Sequence, residues 1–108
     1  MRLSTVQIEG IITAITPYLK NYTAELRLYG SRLHDELKGG DIDLLLLVEK
    51  KEQVSSLLME KFRILSSIKK EIGDQKIDLL IASKEDLHQN NFLEMIFPES
   101  KVIHIFCG

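Results

Sequence analysis

Two carboxylates, Asp43 and Asp78, occupy positions where a folded chain has little ordinary use for them, and a third, Asp41, which alone would pass for a turn residue, stands beside them. Asp43 interrupts a dense apolar run, Ile42 and then Leu44 to Val48, and Asp41 lies two residues before it. In an extended strand, positions i and i+2 face the same side, so both carboxylates project together from backbones about 7 Å apart. Asp78 sits between Ile77 and Leu79 in a second apolar run. Two like charges about 4 Å apart repel by about 4 kcal/mol at an effective dielectric of about 20. A divalent cation removes that cost, and oxygen-only ligands favour Mg²⁺ or Mn²⁺ over zinc. Three such carboxylates suit one or two Mg²⁺ ions, which neutralise a triphosphate and align it for in-line attack. Asp78 is also able to accept the proton of an attacking hydroxyl.

A second group of residues suits the phosphates themselves. Gly30 allows backbone to approach a ligand closely, and the turn after it can open a helix with free N–H groups. Ser31 adds a hydroxyl donor, and Arg32 is placed to meet a phosphate oxygen. Other polar residues are read more plainly. Asp35 and Glu36 are solvated loop charges, and His34, His88 and His104 lack metal-ligand spacing.

These groups need elements to position them. Ser4 and Gln7 have capping-box spacing, and Ile8, Ile11, Ile12, Ile15 and Leu19 follow at helical period. The pattern predicts a helix over 5–20, kinked or shortened by Pro17. A strand is expected over 25–29, a helical turn over 32–38, and a turn at Gly39-Gly40. The apolar run over 41–48 reads as a central strand covered on both faces. One long helix is expected over 52–72, striped by Val54, Leu57, Leu58, Phe62, Leu65, Ile68 and Ile72 and stopped by Gly73. A third strand (76–82), a helix (84–97) interrupted near Asn90-Asn91, and a fourth strand (102–106) complete the order.

A long helix between the second and third strands calls for a parallel crossover, whereas the short excursion before the second makes it antiparallel to the first. The expected fold class is α/β of the α+β type, a small mixed sheet of about four strands with helices packed on it. Parallel pairing puts the starts of strands two and three at one end of the sheet. The antiparallel first strand ends there too, so Gly30, Ser31, Asp41, Asp43 and Asp78 converge on one rim.

Composition bounds the alternatives. The chain has 108 residues, 44% of them apolar and 28% charged, with 17 Leu and 13 Ile, which suits a single domain over 1–108 with a real core. The net charge of -2 argues against a domain that coats nucleic acid. Cys107 is the single cysteine, so no internal disulfide framework is possible. The absence of a long apolar run argues against a membrane span, and the N-terminus lacks a signal-peptide core, so a cytoplasmic protein is expected.

The ordered set Gly30-Ser31-Arg32, then Asp41-Ile42-Asp43, then Lys76-Ile77-Asp78-Leu79-Leu80 resembles the nucleotidyltransferase superfamily related to DNA polymerase β, in its minimal (MNT) form. The resemblance extends from the first helix to the last strand. Members often carry Ser before the Asp-x-Asp, where this chain has Gly40. The resemblance implies an enzyme that transfers a nucleoside monophosphate, AMP from ATP, to an acceptor hydroxyl and releases pyrophosphate. It implies Asp41 and Asp43 as metal ligands, Asp78 as third ligand or base, and Gly30 and Ser31 as the triphosphate hold.

Minimal members are commonly paired with a helical HEPN protein. In such toxin–antitoxin modules the MNT protein neutralises a HEPN ribonuclease by adding AMP to a tyrosine. A HEPN partner or self-association is therefore expected, since a chain of this length leaves little room for an acceptor-binding domain. Two other readings stand beside this one: a binding module that neutralises its partner by contact alone, and an aminoglycoside-type transferase acting on a small molecule.

Overall fold

The computed structural model describes residues 3–30 and 41–108. Its elements run α1 (Thr5–Ile15), β1 (Ala24–Tyr29), β2 (Ile42–Val48), α2 (Lys51–Leu58), α3 (Lys61–Ile72), β3 (Ile77–Ser83), α4 (Asn91–Ile96) and β4 (Lys101–Phe106). The strands form one mixed sheet in the order β3-β2-β1-β4. β2 is parallel to β3 and antiparallel to β1, and β4 is antiparallel to β1. This is the α+β arrangement expected from the sequence, with helices packed on both faces.

The sheet divides the core in two. Leu26, Leu28, Ile42, Leu44, Leu46, Leu79 and Ile81 face the layer of α1, α2 and α3, where Ile11, Ile15, Leu57, Ile64 and Ile68 meet them. Tyr29, Leu45, Leu47 and Ala82 face the other way, toward Leu93 and Ile96 of α4. β2 is therefore buried on both faces, which explains a run of leucines where a half-covered strand would alternate. Gly10 lets α1 and α3 approach closely, since a Cβ there would stand 2.7 Å from Ile72 Cγ2.

Helix boundaries follow local chemistry. Ser4 Oγ accepts from the Gln7 amide and Gln7 Oε1 accepts from the Ser4 amide, which completes the capping box of α1. The helix ends sooner than its apolar stripe: α-helix stops at Ile15 and a 3₁₀ turn covers Thr16–Tyr18, because Pro17 has no N–H to continue the ladder. The expected helix over 84–97 resolves into a 3₁₀ turn (Lys84–Asp86), α4, and a 3₁₀ turn (Phe97–Glu99). Asn90 makes that break, its side-chain oxygen accepting from the amides of Phe92 and Leu93.

The largest departure lies between β2 and β3, where two helices replace the single one expected. The Glu60 amide donates to Leu57 O at 3.0 Å, a tightened turn that separates α2 from α3. α2 then packs on the sheet, while α3 turns to pack against α1. The stripe shifts as a result. Phe62, expected inside, is 88% exposed, and Ile64, absent from the predicted stripe, is fully buried. The predicted helical turn over 32–38 and the Gly39-Gly40 turn lie outside the described residues.

Candidate active site

Strand pairing places the candidate residues in one row. Tyr29 of β1 is opposite Asp43 of β2, and Asp43 is opposite Asp78 of β3. Laterally paired residues share a face, so all three belong to the α4 side of the sheet. Asp41 directly precedes β2, and the Ile42 amide donates to Lys76 O at 3.1 Å, which aligns the starts of β2 and β3. The topology thus brings Gly30, Asp41, Asp43 and Asp78 to the same rim. Ser31 and Arg32 lie outside the described residues.

Gly30 carries a φ of 77°, a left-handed conformation that glycine adopts without steric cost. A Cβ at this position would overlap Asp43 Oδ2. One residue type therefore meets two demands, a turn out of β1 and room for a carboxylate oxygen.

The electrostatics bear the mark of crowded negative charge. Asp43 is half-buried, and its carboxyl is held above the ordinary range, first by burial and then by the charges of Asp78 and Asp41. The Tyr29 hydroxyl is pushed up to about 12, by burial and then by Asp78 and Asp43. Among the described residues, the cation closest to the set is Lys76, whose Nζ lies 3.6 Å from Asp41 Oδ2. Both side chains of that pair are well exposed, so it contributes little.

Tyr29 was not among the residues singled out from the sequence. Its signal was its place as the last residue of a strand, directly before Gly30, where antiparallel pairing sets it opposite Asp43. Among the described residues, no group of three or more His, Cys, Asp or Glu side chains is gathered so as to hold a metal ion by itself. The donor set nevertheless suits Mg²⁺, which is usually bound by one or two carboxylates, with substrate phosphates and water completing the shell.

A cavity of about 160 Å³ opens beside this row, lined by Tyr29, Gly30, Met95, Ile96 and Glu99. A larger one of about 380 Å³ lies against Leu87, His88 and Phe97, and none of the three carboxylates lines it. No helix among the described residues is long and apolar enough to cross a membrane. No family model matches the chain, and no curated protein or solved structure matches it.

Proposed function

We propose that the chain is a Mg²⁺-dependent nucleotidyltransferase that moves AMP from ATP to an acceptor hydroxyl. The acceptor we propose is a tyrosine of a partner HEPN toxin, which the chain would neutralise as its antitoxin. The observation that carries the reading is the register pairing of Asp43 with Asp78, with Gly30 packed against the Asp43 carboxylate. A structural role for that pair is hard to find, because two carboxylates side by side raise each other's cost of ionisation.

In this reading Asp41 and Asp43 hold metal, with Asp78 as third ligand or as base. When bound, Mg²⁺ neutralises the triphosphate and favours departure of pyrophosphate. The acceptor oxygen forms a bond to the α-phosphorus, and the bond from that phosphorus to the β-phosphate's bridging oxygen breaks. The hydroxyl proton passes to Asp78 in its role as base. Gly30, Ser31 and Arg32 meet the phosphates.

The test is a labelling reaction with α-labelled ATP, Mg²⁺ and the protein encoded beside this chain. Transfer of label by wild type and its loss with Asp43→Asn are expected. Equal labelling by both, or by neither, overturns the proposal. Full neutralisation of a toxic partner by the Asp41→Asn/Asp43→Asn protein would mark a contact-only module instead.

A further inference from the structure

The helix layer carries apolar side chains that nothing among the described residues covers. Leu58 closes α2, Met59 follows it, and Phe62 lies at the start of α3; they are 49%, 87% and 88% exposed. The backbone at Met59 stays helical (φ -66°, ψ -22°), so side chains three and four residues apart remain neighbours through the corner. Met59 and Phe62 are three apart, and Leu58 and Phe62 four, which joins them in one patch. Contiguous apolar surface of this kind marks an interaction site, whereas a single exposed residue such as Val6 is ordinary.

Its place in the fold separates the patch from the carboxylate row. α3 runs from this corner to Ile72, and residues 73–76 lead from there into the start of β3, where Asp78 lies. A helix of 12 residues is about 18 Å long, and most of that length stands between Phe62 and the rim end of the layer. The carboxylates also belong to the opposite face of the sheet, the one that α4 covers. A molecule engaged at the rim therefore leaves the corner in water, and the corner needs a different partner.

The surroundings of the patch suit a copy of itself. Ser55 and Ser66, four residues before Met59 and four after Phe62, are exposed, small and uncharged, which lets a second pair of helices come close. Arg63 and Glu60 stand beside the patch, 3.6 Å apart, with side chains 77% and 40% exposed. A two-fold axis brings each sign against the other, so this border is complementary to itself. Covering Leu58, Met59 and Phe62 on two copies removes roughly 800 Å² from water, half of what a standard interface of about 1,600 Å² buries, and the border supplies the remainder.

We propose that the α2–α3 corner is a dimer interface with a second copy of this chain, centred on Met59 and Phe62. In an isologous pair, Met59 of each copy meets Phe62 of the other, which sets a thioether against an aromatic ring twice. The charged border fixes the orientation, and both carboxylate rims lie away from the contact. None of these residues belongs to the carboxylate site, so the proposal stands apart from the nucleotidyl-transfer reading. In the dissociated, dilute chain Phe62 is in water, and its ring contributes nothing to the folding of the monomer.

The experiment is sedimentation equilibrium of the whole chain over a dilution series, without nucleotide or metal. Wild type is expected to pass from dimer to monomer on dilution. Met59→Ser and Phe62→Ser each raise the dissociation constant at least about tenfold, since each removes a central apolar contact twice per dimer. Val6→Ser, at a side chain 75% exposed on α1, leaves it unchanged. Circular dichroism confirms that each variant is folded. A chain that is monomeric across the series overturns the proposal, and so does a dimer that Met59→Ser and Phe62→Ser leave intact or that Val6→Ser weakens as much.

Discussion

Gly30 stands against the Asp43 carboxylate so closely that a Cβ would overlap Oδ2 and lie 3.2 Å from Cγ. The backbone of Gly30 is also left-handed there. Gly30→Ala thus combines a strained conformation, costing roughly 1–2 kcal/mol, with a displaced Asp43 side chain. Chemical denaturation is expected to show at least that loss, and Mg²⁺-nucleotide binding to weaken with it. Stability and binding both at wild-type level would mean that the close packing has no consequence.

Asp43→Asn separates the cost of the carboxylate from its use. Without metal, Asp43 is half-buried beside two like charges, so the variant is expected to be as stable as wild type or more so. Added Mg²⁺ should raise the melting temperature of wild type and leave that of the variant unchanged. A variant clearly less stable than metal-free wild type would give Asp43 a structural role.

Much of this architecture was legible in the residues. The carboxylates stood out because a strand buried on both faces has no place for charge, and parallel pairing followed from the length of chain between β2 and β3. What escaped was set by tertiary packing. A period of 3.6 reads Phe62 as continuing the stripe from Val54, and it does not register a tightened turn at Glu60 that re-aims α3 toward α1. Tyr29 escaped for another reason: a tyrosine at a strand end is ordinary until pairing sets it beside two aspartates.

That shifted stripe has its own test. Phe62 is 88% exposed, so Phe62→Ser is expected to change stability by less than about 0.5 kcal/mol. Ile68 is fully buried between α1 and the sheet, and Ile68→Ala should cost about 2–5 kcal/mol. Comparable losses from the two, measured by urea denaturation, would restore a single continuous helix with Phe62 inside.

Asp86 supplies a pH dependence away from the site. The Ser83 hydroxyl donates to Asp86 Oδ2 at 2.8 Å, and this bond holds the Asp86 carboxyl below its ordinary range, with Lys51 assisting. A carboxyl lowered on folding contributes stability above its unfolded pKa and loses it as pH falls through the folded one. Asp86→Ala should therefore cost about 1 kcal/mol at neutral pH, and the gap from wild type should narrow in acid. A gap that is constant or widens as pH falls contradicts the assignment.

The most direct test of the carboxylate rim is the affinity for ATP with and without Mg²⁺, measured on wild type, Asp43→Asn and Asp78→Asn. The two aspartates face each other across paired strands, and the proposed reading gives that arrangement a use in holding a Mg²⁺-nucleotide. Wild type is expected to bind ATP with Mg²⁺ and to lose it on chelation, while each variant binds at least about tenfold more weakly. Affinity equal in all three proteins, or unaffected by removing Mg²⁺, would contradict the account.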